Sequence, residues 1–336
     1  MTGSQGFIGG YLVEELLAQG HDIVGVDNYS KYGYLKKSYD SHPNFNLVNM
    51  NLEDDKNFFD VLDGADHLVA GAAKIGGITY FHKFAYDLLA KNERILATTC
   101  DAAIRAFQKG SLKKVTYISS SMVFENALNF PSVEGDELKS PPPLSSYGFQ
   151  KLSTEYFARA AWDQYKLPYT IVRPFNCIGI GEARAVSDEY EKSGNISLAM
   201  SHVVPDLIQK IVKGQNPLHI LGDGTQIRHY TYGGDLAQGI TLAIQSDSAI
   251  NEDFNLSTPV GHTVLELANI IYRKITGLDT YPEIMMDKPY EHDVQMRIPS
   301  TEKAKNILGF EALTPLENAL DEIIPWVRKA IDSGAI

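Results

Sequence analysis

Apolar positions along this chain follow two alternating rhythms. Phe7, Ile8, Leu12, Leu16 and Leu17 fall at helical spacing, and Gly20 suits the C-terminal cap of that helix. "HDIVGVD" then reads as a short buried strand ending on Asp27. The beat recurs: "FNLVNM" precedes a helix near Asp54 to Leu62, and "HLVAGAA" precedes a long helix from about Ala85 to Phe107. "KVTYISSS" is a strand ending at Ser119 to Ser121, a helix starts near Tyr147, and strand "PYTIVRPFN" follows. Parallel strands need crossover helices on both faces, so this alternation predicts an α/β fold with a Rossmann-like doubly wound parallel sheet. Past Asn176 the rhythm breaks. A polar stretch (Glu182 to Gly194), a helix from about Ser201, "LHILGDGTQIRHYTYGGD" and three further helical segments predict a smaller mixed α/β domain. It should lie over the carboxyl ends of the strands, where ligands of such sheets bind. The expected division is 1–175 with a return segment at about 229–258, against 176–228 with 259–336.

Composition narrows the class. The 336 residues suffice for one large or two medium domains, and 44% hydrophobic with 21% charged residues is ordinary globular usage. No apolar run reaches a membrane span, and the first residues are glycine-rich rather than basic then apolar, so neither a membrane nor a signal peptide is expected. Cys100 and Cys177 show no metal-ligand spacing and read as reduced core residues of a cytoplasmic protein. A net charge of −12 argues against nucleic acid as partner, but local arginines and helix N-termini can still hold a phosphorylated small molecule.

The candidate chemistry starts at "TGSQGFIGG". Gly3 permits the tight turn from sheet to helix, Gly6 lets the backbone approach a pyrophosphate, and Gly9 lets the helix lie close to the sheet. Asp27 ends the next strand about 20 residues on, where a carboxylate accepts both hydroxyls of an adenosine ribose and repels a 2′-phosphate. NAD is therefore expected over NADP, since Asn28, Tyr29 and Ser30 bring no positive charge. Only Met1 and Thr2 precede Gly3 where a central strand should lead in. The expectation is that upstream residues are missing or that the start is assigned too late. Further along, "SSYGFQKLSTEY" puts Tyr147 and Lys151 on one helical face. An ammonium beside a phenol stabilises the phenolate, which is expected to lower the Tyr147 pKa towards neutrality and make it a usable base.

Taken together, "TGSQGFIGG", "GVDNYS", "VAGAAKIGG", "NERILATT", "VTYISSSMVF", "SSYGFQK", "IVRPFN", "GDGTQIRHYTYGGD" and "FNLST" resemble the extended short-chain dehydrogenase/reductase family, in its NAD-dependent nucleotide-sugar epimerase/dehydratase branch. The resemblance runs nearly the whole length. It implies Ser120, Tyr147 and Lys151 as catalytic residues, Ser120 being the serine three before Val123. Tyr147 would take a proton from a sugar hydroxyl as hydride leaves the same carbon for NAD. Ser120 would hydrogen-bond that oxygen, and Lys151 would hold the nicotinamide ribose. The cofactor site implied is Gly3, Gly6, Phe7, Ile8, Gly9, Asp27, Asn28, Ala72, Ala73 and Asn92 together with Tyr147 and Lys151. The substrate site implied is Ser121, Asn176, His202, Arg228 and Arg297, the guanidinium forks suiting a diphosphate. The resemblance implies a homodimer through the Tyr147 helix and the long helix before it, and no metal.

Residues after the catalytic serine separate the branches. Dehydratases carry an Asp-Glu pair there and decarboxylases a Glu, whereas this chain has Ser121 and Met122. A 4-epimerase acting on a UDP-hexose or UDP-hexuronate needs no further group and is the expected activity. "AAKIGGI" and "SHVVPDL" resemble enzymes of GDP-linked 4-keto-6-deoxymannose, in which a residue like His202 is an acid, but Met122 stands where their cysteine base should be. A GDP-sugar epimerase or epimerase/reductase and a UDP-glucuronate decarboxylase are the enzymatic alternatives, and a dinucleotide sensor is the non-enzymatic one. Asp235 after "TYGGD" reads as a cap or structural carboxylate.

Overall fold

The computed structural model describes residues 1–54, 57–75, 84–182, 191–193, 196–198, 202–289 and 294–335. The expected Ser201 helix start, most of the polar Glu182–Gly194 stretch, and Gly76 and Gly77 of "AAKIGG" fall wholly or largely outside them. The N-terminal part runs α1 (Phe7–Ala18), β1 (Ile23–Asp27), β2 (Phe45–Asn49), α2 (Phe58–Val61), β3 (His67–Ala70), α3 (Ala85–Lys109), β4 (Lys114–Ile118), α4 (Ser146–Tyr165) and β5 (Tyr169–Pro174). Then come β6 (Cys177–Ile178), the antiparallel pair β7 (Glu191–Ser193) and β8 (Ile196–Leu198), α5 (Val203–Val212), β9 (Leu218–Leu221), β10 (Ile227–Arg228) and β11 (Thr231–Tyr232). The chain continues through α6 (Gly233–Gln245), β12 (Glu252–Leu256), β13 (His262–Thr263), α7 (Val264–Thr276), β14 (Ile284–Asp287) and α8 (Leu316–Asp332).

The central strands are all parallel. Strands β12, β5, β4 and β3 form one ladder in that order, and β1 pairs with β2. Thr2 joins the two sets by isolated parallel bridges to Val26 and Ala70. The spatial order 2-1-Thr2-3-4-5-12 reverses direction at Thr2, which places the switch point of the sheet immediately before the glycine loop. Strand β4 is buried at every position, as a strand covered on both faces must be. Helices α1 and α6 pack together on one face through Leu12, Leu16 and Ile240, over Phe254 of β12. On the other face α3 and α4 meet over Ala103, Ala158, Tyr117 and Ile171.

A separate apolar cluster holds the C-terminal elements, with Leu207 and Ile208 of α5, Leu267 of α7 and Leu320 and Ile323 of α8. A capping box, Thr263 with Glu266, starts α7. Asp235 proves structural: its carboxylate accepts from the Thr314 N–H and hydroxyl, both at 2.8 Å, fastening the approach to α8 onto α6. The strand expected over "HLVAGAA" stops at Ala70, because the Gly71 and Ala72 N–H groups leave the ladder for the Thr2 hydroxyl at 3.0 and 3.1 Å. Among the described residues no helix is long and apolar enough to cross a membrane.

Candidate active site

The glycine loop is built on close backbone contact. Gly3 has φ +74°, and its carbonyl oxygen would lie 2.0 Å from a Cβ placed on Gly9. Gly6 is the N-cap of α1, with no side-chain cap and no acidic residue in the first turn. No side chain of the helix itself balances the partial positive charge at that end. Phe7 and Ile8 open the helix, Phe7 resting edge-on against Tyr11 at 5.8 Å. Asp27 accepts from the Gln5 N–H at 3.0 Å and the Tyr29 N–H at 2.8 Å. It ties the glycine loop to the end of β1, and each oxygen keeps lone pairs for another donor. Asn28 bonds Asn51 and the Ser30 N–H. Ala72, Ala73, Asn92, Ile118 and Lys151 line one cavity beyond Thr2. Asn92 grips the Lys74 backbone, accepting from its N–H at 2.6 Å and donating to its carbonyl at 2.9 Å, so it shapes the Ala72–Lys74 wall. A glycine loop packed backbone to backbone against the start of α1, a helix N-terminus with no side-chain cap and a carboxylate at the end of β1 fit a dinucleotide.

The three serines after β4 have separate tasks. The Ser119 hydroxyl donates to Glu155 at 2.7 Å. Ser120 hydrogen-bonds the Tyr147 phenol, and its Oγ accepts from the Met122 N–H at 3.2 Å. Ser121 is buried at the start of a short 3-10 turn. Tyr147 is the second residue of α4, whose N-cap Ser145 accepts from the Gly148 N–H at 3.0 Å. Glu125 accepts from the Leu144 and Ser145 N–H groups and from the Ser145 hydroxyl, bolting the serine turn to the start of that helix. Lys151 is buried, donates to the Ile118 carbonyl at 2.9 Å, and lies 6.0 Å from the centroid of the Tyr147 ring.

The charge pattern corrects one expectation. Burial pushes the Tyr147 phenol above its ordinary value, while the Ser120 hydrogen bond and the Arg297 guanidinium pull it back. It does not fall towards neutrality here: burial dominates the phenol, and Lys151 turns its ammonium to the Ile118 carbonyl, 6.0 Å from the centre of the Tyr147 ring. Burial lowers Lys151 itself to about 8, with Glu155 opposing the shift.

The expected substrate residues divide. Asn176 (φ +34°) and Arg297 approach each other at 3.5 Å, and Arg297 acts on Tyr147. Arg228 is buried and donates to the carbonyls of Ile227 and Gln295. His202 stands at the N-cap of α5, half exposed, with Nδ1 held by buried Glu182. Sequence reading did not assign Glu125, Ser119 or Arg173. Glu155 carried a signal, since it follows Lys151 by one helical turn.

The family model described as the NAD dependent epimerase/dehydratase family matches residues 1–257. A UDP-N-acetyl-alpha-D-glucosaminuronate decarboxylase of Bacillus cytotoxicus is 27% identical over 98% of this chain and 97% of its own. A UDP-glucose 4-epimerase of Lacticaseibacillus casei is likewise 27% identical, over 96% and 93%. Among solved structures, the UDP-glucose 4-epimerase of Thermotoga maritima with UDP-glucose superposes with a TM-score of 0.80 at 27% identity, covering 98% of both chains.

Proposed function

The chain belongs to the NAD-dependent epimerase/dehydratase family, and from that premise we propose that it inverts carbon 4 of a UDP-hexose or UDP-hexuronate. The observation that carries this reading is the Ser120–Tyr147 hydrogen bond beside Lys151, with no other free proton-transfer group on the serine turn. Met122 offers only a thioether, and the nearest acid on that turn, Glu125, is committed to the start of α4. A reaction needing an extra acid or base finds none on this turn, whereas oxidation and re-reduction at one carbon needs only a single proton relay.

Gly3, Gly6, Phe7, Ile8, Gly9, Asp27, Asn28, Ala72, Ala73 and Asn92 with Tyr147 and Lys151 would hold NAD, which when bound would supply hydride acceptance and return. Tyr147 takes the proton of the sugar hydroxyl and later gives it back. Ser120 donates to the same oxygen and steadies the charge that develops there. Arg297 favours the ionised phenol, and with Asn176 and Arg228 it holds the diphosphate and nucleoside, with Ser121 and His202 at the sugar. Rotation of the 4-keto sugar between the two proton transfers would present its other face and invert the centre.

Tyr86, Phe149 and Tyr156 on α3 and α4 are exposed, which supports a homodimer packed through these helices. The free thiols of Cys100 and Cys177 support a cytoplasmic site of action. A second reading, decarboxylation of a UDP-hexuronate, is favoured by the activity of the Bacillus relative. Incubation with a panel of UDP-, GDP-, CDP- and dTDP-sugars, followed by NMR in deuterated water, decides between them. A 4-inverted UDP-sugar supports the proposal. Loss of carbon dioxide points to the second reading, deuterium at carbon 3 or 5 to a GDP-sugar type of epimerisation, and no reaction at all to a sensor.

A further inference from the structure

Behind the serine turn lies a buried cluster of charges with no partner in the chemistry above. Glu155 is wholly buried, one turn after Lys151 on α4. Its Oε1 accepts from the Ser119 hydroxyl and from Arg173 Nε, both at 2.7 Å, and its Oε2 accepts from Arg173 Nη2 at 2.7 Å. Arg173, on β5 and also fully buried, reaches Glu137 at 3.0 Å and Asp253 of β12 at 2.7 Å. Arg159 adds contacts to Glu155 and Glu137, and Lys303 pairs with Asp253 and Glu252. A fork-to-fork Arg–carboxylate pair fixes direction as well as distance. One carboxylate is thus locked to the sheet on one side while holding the residue next to Ser120 on the other.

We propose that Glu155 is a positioning residue for the reaction: through Ser119 it sets Ser120 against Tyr147, and it is the buried negative charge one helical turn from the Lys151 ammonium. The inference rests on the epimerase reading and deepens it. Other groups around Lys151 do not supply that charge. Tyr147 on its own helix and Asn92 on α3 are neutral donors or acceptors, and Glu93 of α3 is turned to Ser153 with its carboxyl pushed up by burial. The Ile118 carbonyl of β4 contributes a dipole, and Ala72 and Ala73 bring no charge. Around Glu155 itself, Arg173 and Arg159 are balanced by Glu137 and Asp253.

The test compares Glu155→Gln, Glu155→Asp and Ser119→Ala with wild type in the sugar assay, recording kcat against pH and the amount of NAD retained. Removing the charge favours neutral Lys151, so in Glu155→Gln the alkaline limb of kcat moves down by about one pH unit. Glu155→Asp keeps the charge and restores the limb even where kcat is reduced. Ser119→Ala lowers kcat about three- to tenfold, leaves the limb in place and retains NAD. Glu155→Gln with the wild-type limb would overturn the proposal. If that variant does not fold, Ser119→Ala at wild-type kcat would overturn it instead. A wild-type enzyme inert towards every nucleotide sugar refutes the functional reading rather than this one.

Discussion

Two neighbouring glycines in α1 give the glycine loop a sharp test. In a helix interior, Gly to Ala gains about 1 kcal/mol of propensity, so a helix-only view predicts that both Gly9→Ala and Gly10→Ala stabilise. The surroundings predict opposite signs. A Cβ on Gly10 meets nothing nearer than the Tyr39 hydroxyl at 3.7 Å and the Lys37 ammonium at 3.8 Å, which are ordinary contacts. Gly10→Ala should therefore gain about 0.5–1 kcal/mol. A Cβ on Gly9 lies 2.0 Å from the Gly3 carbonyl oxygen and 3.1 Å from its carbon. Backbone faces backbone, no flexible side chain can yield, and the first turn of α1 must back away from the loop. Overpacking of this kind costs about 1–3 kcal/mol, enough to outweigh the propensity gain. The same retreat displaces the N–H groups that we propose meet the pyrophosphate, so NAD affinity should fall at least about tenfold, or ~1.4 kcal/mol. Urea melts and calorimetric NAD titrations of the two variants measure both effects. If Gly9→Ala is as stable as Gly10→Ala, or binds NAD as wild type does, the close packing of loop and helix is not what the glycine provides.

Three further outcomes follow from the same geometry. Tyr147→Phe should lower kcat by about 10² to 10⁴ while NAD stays bound, and a calorimetric titration alongside the assay separates this from misfolding. Arg297→Gln should raise the nucleotide-sugar KM about tenfold and move the acidic limb of kcat, where Tyr147 gains its base form, to higher pH, because the guanidinium charge pulls that phenol down. His67, hydrogen-bonded to the Thr116 hydroxyl at 2.9 Å, is lowered by burial and by Lys114 from 6.5 to about 3. The folded state then binds fewer protons than the unfolded one. Stability is complete above about pH 6.5 and erodes as pH falls towards 3, by an amount on the order of 5 kcal/mol in all and about 2 kcal/mol by pH 5. Denaturant melts at pH 7 and pH 5 should diverge in wild type and converge in His67→Asn; equal slopes in both would remove His67 from the acid response.

What the sequence disclosed depended on range. Local periodicity marked each β-α step because burial on both faces forces continuous apolar strands, as in β4. The Gly3-to-Asp27 spacing was readable because loop, helix and strand are consecutive, and the structure ties them through Asp27 and the Gln5 N–H. The Tyr147–Lys151 pair was equally local, yet its electrostatics were not, since the Tyr147 shift is set by burial, Ser120 and an arginine 150 positions further on. Asn92 was placed beneath the cofactor by resemblance, but its bonds to Lys74 cross a stretch of chain that no helical or strand period spans. The cluster of Glu155, Arg173, Glu137 and Asp253 was invisible for the same reason: each member sits on a different element, and only the folded sheet makes them one group. Among the three serines, spacing selected Ser120, but nothing local separated Ser119 from its neighbours.

The most direct measurement follows deuterium placed at carbon 4 of a UDP-hexose during turnover in ordinary water. Inversion by transient oxidation at that carbon predicts a 4-inverted product that keeps the label at carbon 4, formed about 10² to 10⁴ times more slowly by Tyr147→Phe. Label released to water, or an inverted product from Tyr147→Phe at the wild-type rate, would contradict it.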